Sequence, residues 1–579
     1  MIGYAAAHRE SDSVQRTYNL RQPARRFVAA LFVVVLSWTL SAAHAASQAI
    51  ASAHPLATAA GHEMLAQGGN AFDAAVAVAA ALAVVEPFSS GLGGGGFFLL
   101  HRASDGFESM VDARETAPGR ASREMYLDAD GKVKDRLSLD GALAAGIPGT
   151  PAGLAWIAER HGRLPLATSL GPAMRLARDG FPVDARYAAA ARFRAGLLKA
   201  DAATARVFLD AGEVPETGFV VRQPELAQTL AALAAKGRDG FYAGEVAQRL
   251  VAGVQMAGGI WERDDLAGYQ IAERSPMRLS YHGARITCGS LPSSGGLVLA
   301  QALNILERYP LATLPRPARD HLVVEALRRG YQDRARYLGD PDFVSPPAVL
   351  TTRAYADQRA ASIDPGKATP SQELDRLYPV VSEGDNTTHF SVVDADGNRV
   401  AATLSVNLPF GAGLIAGDTG VLLNNEMNDF AVGGVQASAY RLAGGAANEV
   451  APGKRPLSSM TPAFVEDERG VLVFGTPGGS RIISMVLLGI LEYVDSPQLD
   501  LERVIGAPRF HHQYLPDRVL YEPAPFAMPD GWAEALRAKG HAVEQGGRAW
   551  GNMQAVFVDK RSGEVSAYSD PRGRAGMLF

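Results

Sequence analysis

The sequence has little cysteine and no strong excess of either charge. Cys288 is the single cysteine among 579 residues, so an intrachain disulfide is excluded and the fold must rest on packing. Its place in a strand-like segment, residues 284–288, favours a small core residue without chemistry of its own. The formal net charge of -5 gives no reason to expect nucleic acid or an anionic membrane as a partner, because both attract basic surfaces.

Long uncharged runs are also scarce, and the first one is short. Residues 27–40 carry no charge, follow three arginines between positions 21 and 26, and precede small residues that end at Ala45. A bilayer needs ~20 apolar residues, more than this run offers. The pattern instead predicts a signal peptide over residues 1–45, export to the periplasm or beyond, and no membrane span in the mature form.

The sequence is otherwise typical of a large enzyme of mixed α and β structure. Hydrophobic residues make up 47% of it, too many for a disordered chain. The patterns predict a buried, alanine-rich helix over 71–85, a helical middle region over 152–345, and a strand-rich part after 387. The charges of a helix over 321–337 are either solvated or structural. Residues 345–386 have weak periodicity and are the most linker-like part of the chain.

A run of four glycines at 93–96 precedes a predicted strand over 97–101. Such a run can cradle phosphate, but no Gly-Lys-Ser/Thr follows it and no βαβ pattern surrounds it. We therefore expect a close approach of two backbones beside a buried strand.

One stretch, residues 385–390, combines a turn-prone start with an abrupt change to strand. Its sequence is DNTTHF, and it leads into two predicted strands, 389–393 and 399–406, joined by turn residues. If the chain were cut before Thr387, the α-amine and the hydroxyl of that residue could serve as base and nucleophile, because such an amine has a nearly neutral pKa. The alternative is the ordinary preference of threonine for a strand start.

This stretch resembles the processing site of γ-glutamyltranspeptidases, where an Asx/Gln-Thr-Thr-His segment is cut before its first threonine. The resemblance recurs along nearly the whole chain after the first fifty residues, in segments such as HPLA at 54–57 and GGGGF at 93–97. It implies an α/β, N-terminal-nucleophile hydrolase fold: an αββα sandwich, with two stacked β-sheets between helical layers. It also implies a large subunit, 46–386, and a small catalytic subunit, 387–579.

The resemblance assigns catalytic roles to four residues of this sequence. Thr387 is the expected nucleophile, and Ser405 supplies a nearby hydroxyl where many members have threonine. The amides of Gly478 and Gly479, at the start of a predicted helix, are the expected donors to an oxyanion. An ordinary turn from a strand to a helix would need the same two glycines. A purely structural role for them therefore stays open.

The resemblance also implies a site for the zwitterionic end of a γ-glutamyl group. Taken alone, the arginine of this site would be an ordinary solvated residue, and each of its other members an ordinary cap or turn residue. The expected ligands of the α-carboxylate are Arg114, Ser458 and Ser459, and those of the α-ammonium are Asn407, Glu426 and Asp429. A guanidinium suits the carboxylate because its planar fork can form two parallel bonds. Tyr440, in a Gly/Ala-rich segment, matches the lid of some members. The resemblance implies no metal and no cofactor.

The expected activity is that of an exported, self-processed γ-glutamyltranspeptidase, or glutathione hydrolase. It would transfer the γ-glutamyl group of glutathione or a related donor to water, an amino acid or a peptide through a threonine ester. A first alternative is a glutaryl-type (cephalosporin) acylase of the same fold, whose substrate has no α-ammonium for Glu426 and Asp429. A second is an exported binding protein without catalysis, although every expected catalytic position is filled.

Overall fold

The computed structural model describes residues 47–134, 136–374, 386–432, 435–436, 444–496 and 499–574. The predicted signal peptide, 1–45, and the predicted lid residue Tyr440 lie outside these residues. None of the described helices is both long enough and apolar enough to cross a membrane.

Two six-stranded sheets organise the chain. In chain order their strands are β1 (Ala49–Ser52), β2 (Gly95–Arg102), β3 (Phe107–Ala113), β4 (Ala272–Arg274), β5 (Met277–Tyr281), β6 (Ala284–Cys288), β7 (Thr388–Val393), β8 (Arg399–Ser405), β9 (Ala463–Glu466), β10 (Gly470–Gly475), β11 (Gln554–Asp559) and β12 (Val565–Ser569). The first sheet has the order β1-β7-β8-β2-β3-β4 and the second β12-β11-β10-β9-β6-β5. The predicted hairpin after Thr387 is therefore confirmed as β7 and β8, which pair antiparallel inside the first sheet.

Helices cover the outer faces of both sheets. Those before the second sheet begins are α1 (Pro55–Ala66), α2 (Ala71–Val85), α3 (Thr150–His161), α4 (Leu166–Asp179), α5 (Ala185–Phe193), α6 (Ala195–Ala200), α7 (Ala202–Phe208), α8 (Pro224–Lys236), α9 (Asp239–Tyr242), α10 (Gly244–Met256) and α11 (Arg263–Gly268). The later ones are α12 (Gly295–Leu306), α13 (Arg316–Tyr337), α14 (Arg353–Ala361), α15 (Ser371–Leu374), α16 (Ile482–Val494), α17 (Leu501–Gly506), α18 (Trp532–Ala538) and α19 (Pro571–Arg574). Short strands lie at Phe181–Pro182, Val220–Val221, Ala431–Val432, Val435–Gln436, Phe510–His511, Val519–Tyr521 and Val543–Gln545.

Alternating side chains of the strands divide the interior into layers. Phe98 of β2 packs with α2 on the outer face of the first sheet, whereas Leu99 faces the second sheet. In β10, Val473 meets Leu99 in the core between the sheets, and Phe474 packs with α12, α13 and α16. This division follows from the two-residue period of a strand, which sends neighbouring side chains to opposite faces. The predicted αββα sandwich is confirmed.

The glycine run brings the ends of β2 and β8 close together. A Cβ atom at Gly94 would lie 2.2 Å from the carbonyl oxygen of Ser405, and one at Gly96 would lie 2.3 Å from that of Thr403. Any side chain would push these strands apart, so the predicted backbone approach is confirmed. The run thereby helps to place Ser405 at the end of β8.

One expectation about the middle of the chain needs correction, and two others are settled by burial. Of the two readings of the charges on α13, the structural one holds for Glu325, which is fully buried and bonds Arg329 at 2.6 Å. Part of the predicted linker instead forms helix α14, which buries Ala356 and Ala360. Two small apolar residues are too few to give a helical period that can be recognised in the sequence. Cys288 is confirmed as a core residue, and its burial raises the pKa of the thiol to about 12.

Candidate active site

Thr387 lies immediately before β7 and is held from both sides. The Thr388 hydroxyl donates to the Glu86 carboxylate at 2.9 Å, and the Asn386 side-chain amide donates to the carbonyl of Phe88 at 3.0 Å. Glu86 is completely buried at the end of α2. The segment after α2 therefore fixes the backbone on both sides of the candidate nucleophile.

Ser405 lies at the end of β8, beside the peptide that precedes Thr387. Its hydroxyl donates to the carbonyl oxygen of Asn386 at 3.1 Å and accepts from the backbone amide of Asn407 at 2.8 Å. Asn407 has a φ of 73°, a region that asparagine tolerates better than most residues, and its side chain donates to the carbonyl of Asn425. Strand pairing and this turn thus hold the Ser405 hydroxyl against the predicted scissile carbonyl.

His389 follows in β7 but faces the space between the two sheets. Its ring nitrogens lie 2.8 Å from the hydroxyl of Thr403 and 3.2 Å from that of Ser391. Burial lowers the pKa of His389 to about 3, so the ring is neutral at ordinary pH. The histidine belongs to a polar layer between the sheets and does not pair with Thr387.

Arg114 connects the end of β3 to the acidic residues of the site. Its guanidinium lies 2.7 Å from Glu426 and 2.5 Å from Asp429, and its Nε donates to the carbonyl of Pro456 at 3.2 Å. Glu426 and Asp429 belong to one 3-10 turn, Glu426–Asp429, which places both carboxylates on the same side. The expected carboxylate-binding arginine and the expected ammonium-binding acids are therefore direct neighbours.

Burial makes two carboxyl groups near Arg114, those of Glu426 and Glu115, weak acids. It raises the pKa of Glu426 well above its ordinary value, against the opposing effect of Arg114. Burial also raises the pKa of Glu115 to about 8, and this carboxyl lies 3.7 Å from Arg114. The site thus favours an additional positive charge beside Glu426, since a cation would help to keep this carboxylate ionised.

Ser458 and Ser459 lie on a segment that is supported by the sequence LPSSGG at residues 291–296. Ser458 donates its backbone amide to the carbonyl of Pro292 at 2.8 Å, and Ser294 donates its own to the carbonyl of Ser458 at 2.8 Å. These residues, at the start of α12, therefore hold Ser458 and Ser459 in the pocket that Arg114 also lines.

The glycine pair forms the turn from β10 into α16. Gly478 has a φ of 140° and Gly479 a φ of 56°, both in the region that favours glycine. Gly479 opens the 3-10 turn Gly479–Arg481 directly before α16 and lines the same pocket as Thr387. The positive φ angles at both positions explain why the sequence has two consecutive glycines here.

One pocket brings nearly all the predicted residues together. Its predicted members are Arg114, Thr387, Ser405, Asn407, Glu426, Asp429, Ser458, Ser459 and Gly479. Gly478 precedes this lining in the chain, and Tyr440 lies outside the described residues. The pocket also contains Arg334 and Ser480, which the sequence interpretation missed. The only feature of the sequence that could have pointed to Arg334 was its position on a helix with many charged residues.

His321, Glu325 and His541 form a buried group whose donor atoms lie close enough for a metal ion. The two histidines already bond each other at 2.7 Å, and the Glu325 carboxylate accepts from Arg328 at 3.2 Å and Arg329 at 2.6 Å. With these atoms engaged and two guanidinium groups adjacent, the group fits a hydrogen-bonded network better than a cation site.

Comparisons with known proteins agree with this geometry. The family described as Gamma-glutamyltranspeptidase matches residues 57–579. The chain is 42% identical over 530 residues to the "Glutathione hydrolase proenzyme" of Escherichia coli (strain K12), covering 90% of each chain. It is 40% identical over 578 residues to the protein of the same name from Pseudomonas sp. (strain A14), covering 96% of this chain and 99% of that one.

A solved structure supports the fold over a similar length. The crystal structure of cephalosporin acylase from Bacillus halodurans aligns with a TM-score of 0.79 at 28% identity, covering 91% of this chain and 95% of that chain. Together with the two stacked sheets, this similarity confirms the predicted N-terminal-nucleophile hydrolase fold. The chain belongs to the γ-glutamyltranspeptidase family.

Proposed function

We propose that this protein is an exported, self-processed γ-glutamyltranspeptidase, or glutathione hydrolase. The observation that carries the proposal is one pocket that is lined by Thr387, by the buried Arg114 and by two acidic side chains that pair with it, Glu426 and Asp429. These are the groups that a γ-glutamyl donor needs: a nucleophile for its amide, a cation for its carboxylate, and anions for its ammonium.

The first reaction is self-cleavage between Asn386 and Thr387. The Thr387 hydroxyl attacks the carbonyl carbon of Asn386, the peptide C–N bond breaks, and the nitrogen leaves as the free amine after taking the hydroxyl proton. Water then hydrolyses the resulting ester, which leaves a carboxylate on Asn386 and restores the hydroxyl. The products are a large subunit, 46–386 after removal of the signal peptide, and a small subunit, 387–579, which stay together as a heterodimer.

Ser405 assists this cleavage, because its hydroxyl donates to the carbonyl oxygen under attack. We expect Ser405→Ala to slow self-cleavage roughly a hundredfold, the usual effect of losing one donor to a developing oxyanion. The measurement is the fraction of cleaved chain on a denaturing gel at successive times after synthesis. Ser405→Thr, which keeps the hydroxyl, should be cleaved normally.

Ser391→Ala is the matched control, since this buried hydroxyl of β7 donates to the carbonyl of Gln554 instead. Ser391→Ala should be cleaved at the wild-type rate. If Ser405→Ala also keeps that rate, Ser405 has no part in the cleavage.

The second reaction uses the new amine of Thr387. This amine takes the hydroxyl proton while the oxygen attacks the γ-carbonyl of the donor, and the amide nitrogen leaves with that proton. The amides of Gly478 and Gly479 receive the developing oxyanion. The γ-glutamyl ester is then transferred to water, an amino acid or a peptide.

Donor binding requires an exchange of ion pairs at Arg114. The donor carboxylate competes with Asp429 and Glu426 for the guanidinium, while the donor ammonium compensates the two acids that Arg114 releases. Ser458 and Ser459 donate to the carboxylate, and Asn407 helps to hold the ammonium. Because the exchange keeps each buried charge beside an opposite charge, it limits the free-energy cost of donor binding.

We expect Arg114→Lys to raise the KM for a γ-glutamyl donor at least roughly tenfold, because a lysine keeps the charge but cannot form two parallel bonds. The midpoint of thermal unfolding should change much less. Steady-state kinetics and a melting curve of the processed enzyme measure the two effects. Arg175→Lys is the control, since Arg175 pairs on the surface with Glu63 at 2.6 Å and should leave the KM unchanged. An unchanged KM in Arg114→Lys would remove Arg114 from the donor site.

The similarity to a cephalosporin acylase favours a second candidate, an acylase for glutaryl-type groups. A glutaryl group has a terminal carboxylate for Arg114 but no ammonium for Asp429 and Glu426. The acidic pair therefore favours a γ-glutamyl donor. The complete catalytic set likewise argues against a binding protein without activity.

A further inference from the structure

Arg334 is a second arginine of the pocket, and its hydrogen bonds are incomplete. It lies near the end of α13, and its guanidinium is almost fully buried. Its Nε donates to the Ser294 hydroxyl at 2.9 Å, and its Nη2 lies 3.5 Å from the Ser459 hydroxyl. Nη1 has no hydrogen-bond partner in the described part of the chain. Buried guanidinium groups are rarely left in this state, because desolvation without a partner is costly.

The two arginines of the pocket differ in their ion pairs. Arg114 contacts both Glu426 and Asp429, whereas no carboxylate of the described residues lies within 4.0 Å of a nitrogen of Arg334. Burial lowers the pKa of Arg334 to about 10, with Arg114 adding to this effect and the more distant Asp429 opposing it, so the guanidinium stays charged at neutral pH. The unused N–H groups of Nη1 could therefore bind an anion that comes from outside the protein.

We propose that Arg334 is a specificity-determining residue that binds the α-carboxylate of the donor together with Ser459. The inference rests on the proposed function. It also balances the charges of the bound state. Burial raises the pKa of Glu115 to about 8, so this neighbour of Arg114 is mostly neutral at pH 7 and is not counted. With Glu426 ionised beside the donor ammonium, Arg114, Arg334 and that ammonium supply three positive charges, and Glu426, Asp429 and the donor carboxylate supply three negative ones. Without Arg334 the same count leaves one excess negative charge in the buried site.

The test compares two donors that differ only in the carboxylate. L-γ-glutamyl-p-nitroanilide has it, and 4-aminobutanoyl-p-nitroanilide is the same molecule without it. We expect Arg334→Gln to raise the KM for the first at least ~30-fold with a smaller change in kcat, and to change kcat/KM for the second less than ~3-fold. Product inhibition should follow the same pattern, with L-glutamate binding weakened and 4-aminobutanoate binding unchanged.

Arg334→Lys covers the case in which the glutamine variant does not fold or is not cleaved into subunits. It retains the buried charge and should still raise the KM for the γ-glutamyl donor alone, roughly tenfold. Arg316→Gln, at the first residue of the same helix, is the control for a general effect of removing an arginine from α13. It should leave both donors unaffected.

Equal losses on the two donors would show that Arg334 only supports Ser294 and the serine segment, and would overturn the proposal. So would an unchanged KM for the γ-glutamyl donor in both Arg334 variants. The proposed function fails separately, if the wild-type enzyme does not cleave the γ-glutamyl anilide at all.

Discussion

The Thr387→Ala variant should remain one uncut chain and lose roughly 10⁴-fold or more of its activity. The threonine supplies the nucleophile of both proposed reactions, so its loss removes self-cleavage and turnover together. A denaturing gel of the purified protein and a rate assay with a γ-glutamyl anilide measure the two effects. N-terminal sequencing of the small wild-type fragment should begin at Thr387.

Thr387→Ser is the matched control, because it keeps a hydroxyl and an α-amine at the same position. It should be cleaved, at a reduced rate, and regain part of the activity. The melting temperature of Thr387→Ala should stay near that of the wild type, which excludes unfolding as the cause. Equal fragmentation of wild type and Thr387→Ala would identify an outside protease and remove the nucleophile argument.

The relative rates on two anilide substrates distinguish a γ-glutamyltranspeptidase from a glutaryl-type acylase. We expect a γ-glutamyl anilide to be cleaved at least roughly a hundredfold faster than a glutaryl anilide, because the glutaryl group leaves Asp429 and Glu426 without the cation that they need. The high pKa of Glu426 adds to this preference, since the donor ammonium favours its ionised form. The measurement is kcat/KM for the two anilides on one preparation of wild-type enzyme.

Asp429→Asn should reduce this preference mainly by slowing the γ-glutamyl substrate. The amide keeps the shape of the side chain but loses the charge that attracts the ammonium, and it weakens the contact with Arg114. The rate on the glutaryl anilide, which lacks an ammonium, serves as the internal control. Comparable wild-type rates on the two anilides would favour the acylase instead.

Local patterns in the sequence were enough to predict much of the fold. The hairpin after Thr387, the buried helix over residues 71–85 and the backbone approach at the glycine run are all confirmed. Each depends on neighbours in the chain: turn residues, a run of small apolar side chains, or the absence of a Cβ atom. The sandwich itself and most of the pocket came from the family resemblance, since periodicity alone predicts only mixed α and β structure.

The tertiary structure decided which distant groups meet. Thr388 bonds Glu86 across 302 positions of the chain, and Arg114 bonds Asp429 across 315. Arg334 shows most clearly what the sequence could not predict, because a helical pattern with many charges does not distinguish a solvated arginine from a buried one. That distinction depends on which elements pack against the helix, and here packing against the Ser294 and Ser459 segments removes the guanidinium from water. The sequence by itself therefore determined the elements and the candidate nucleophile, whereas burial in the assembled fold determined the charges that surround it.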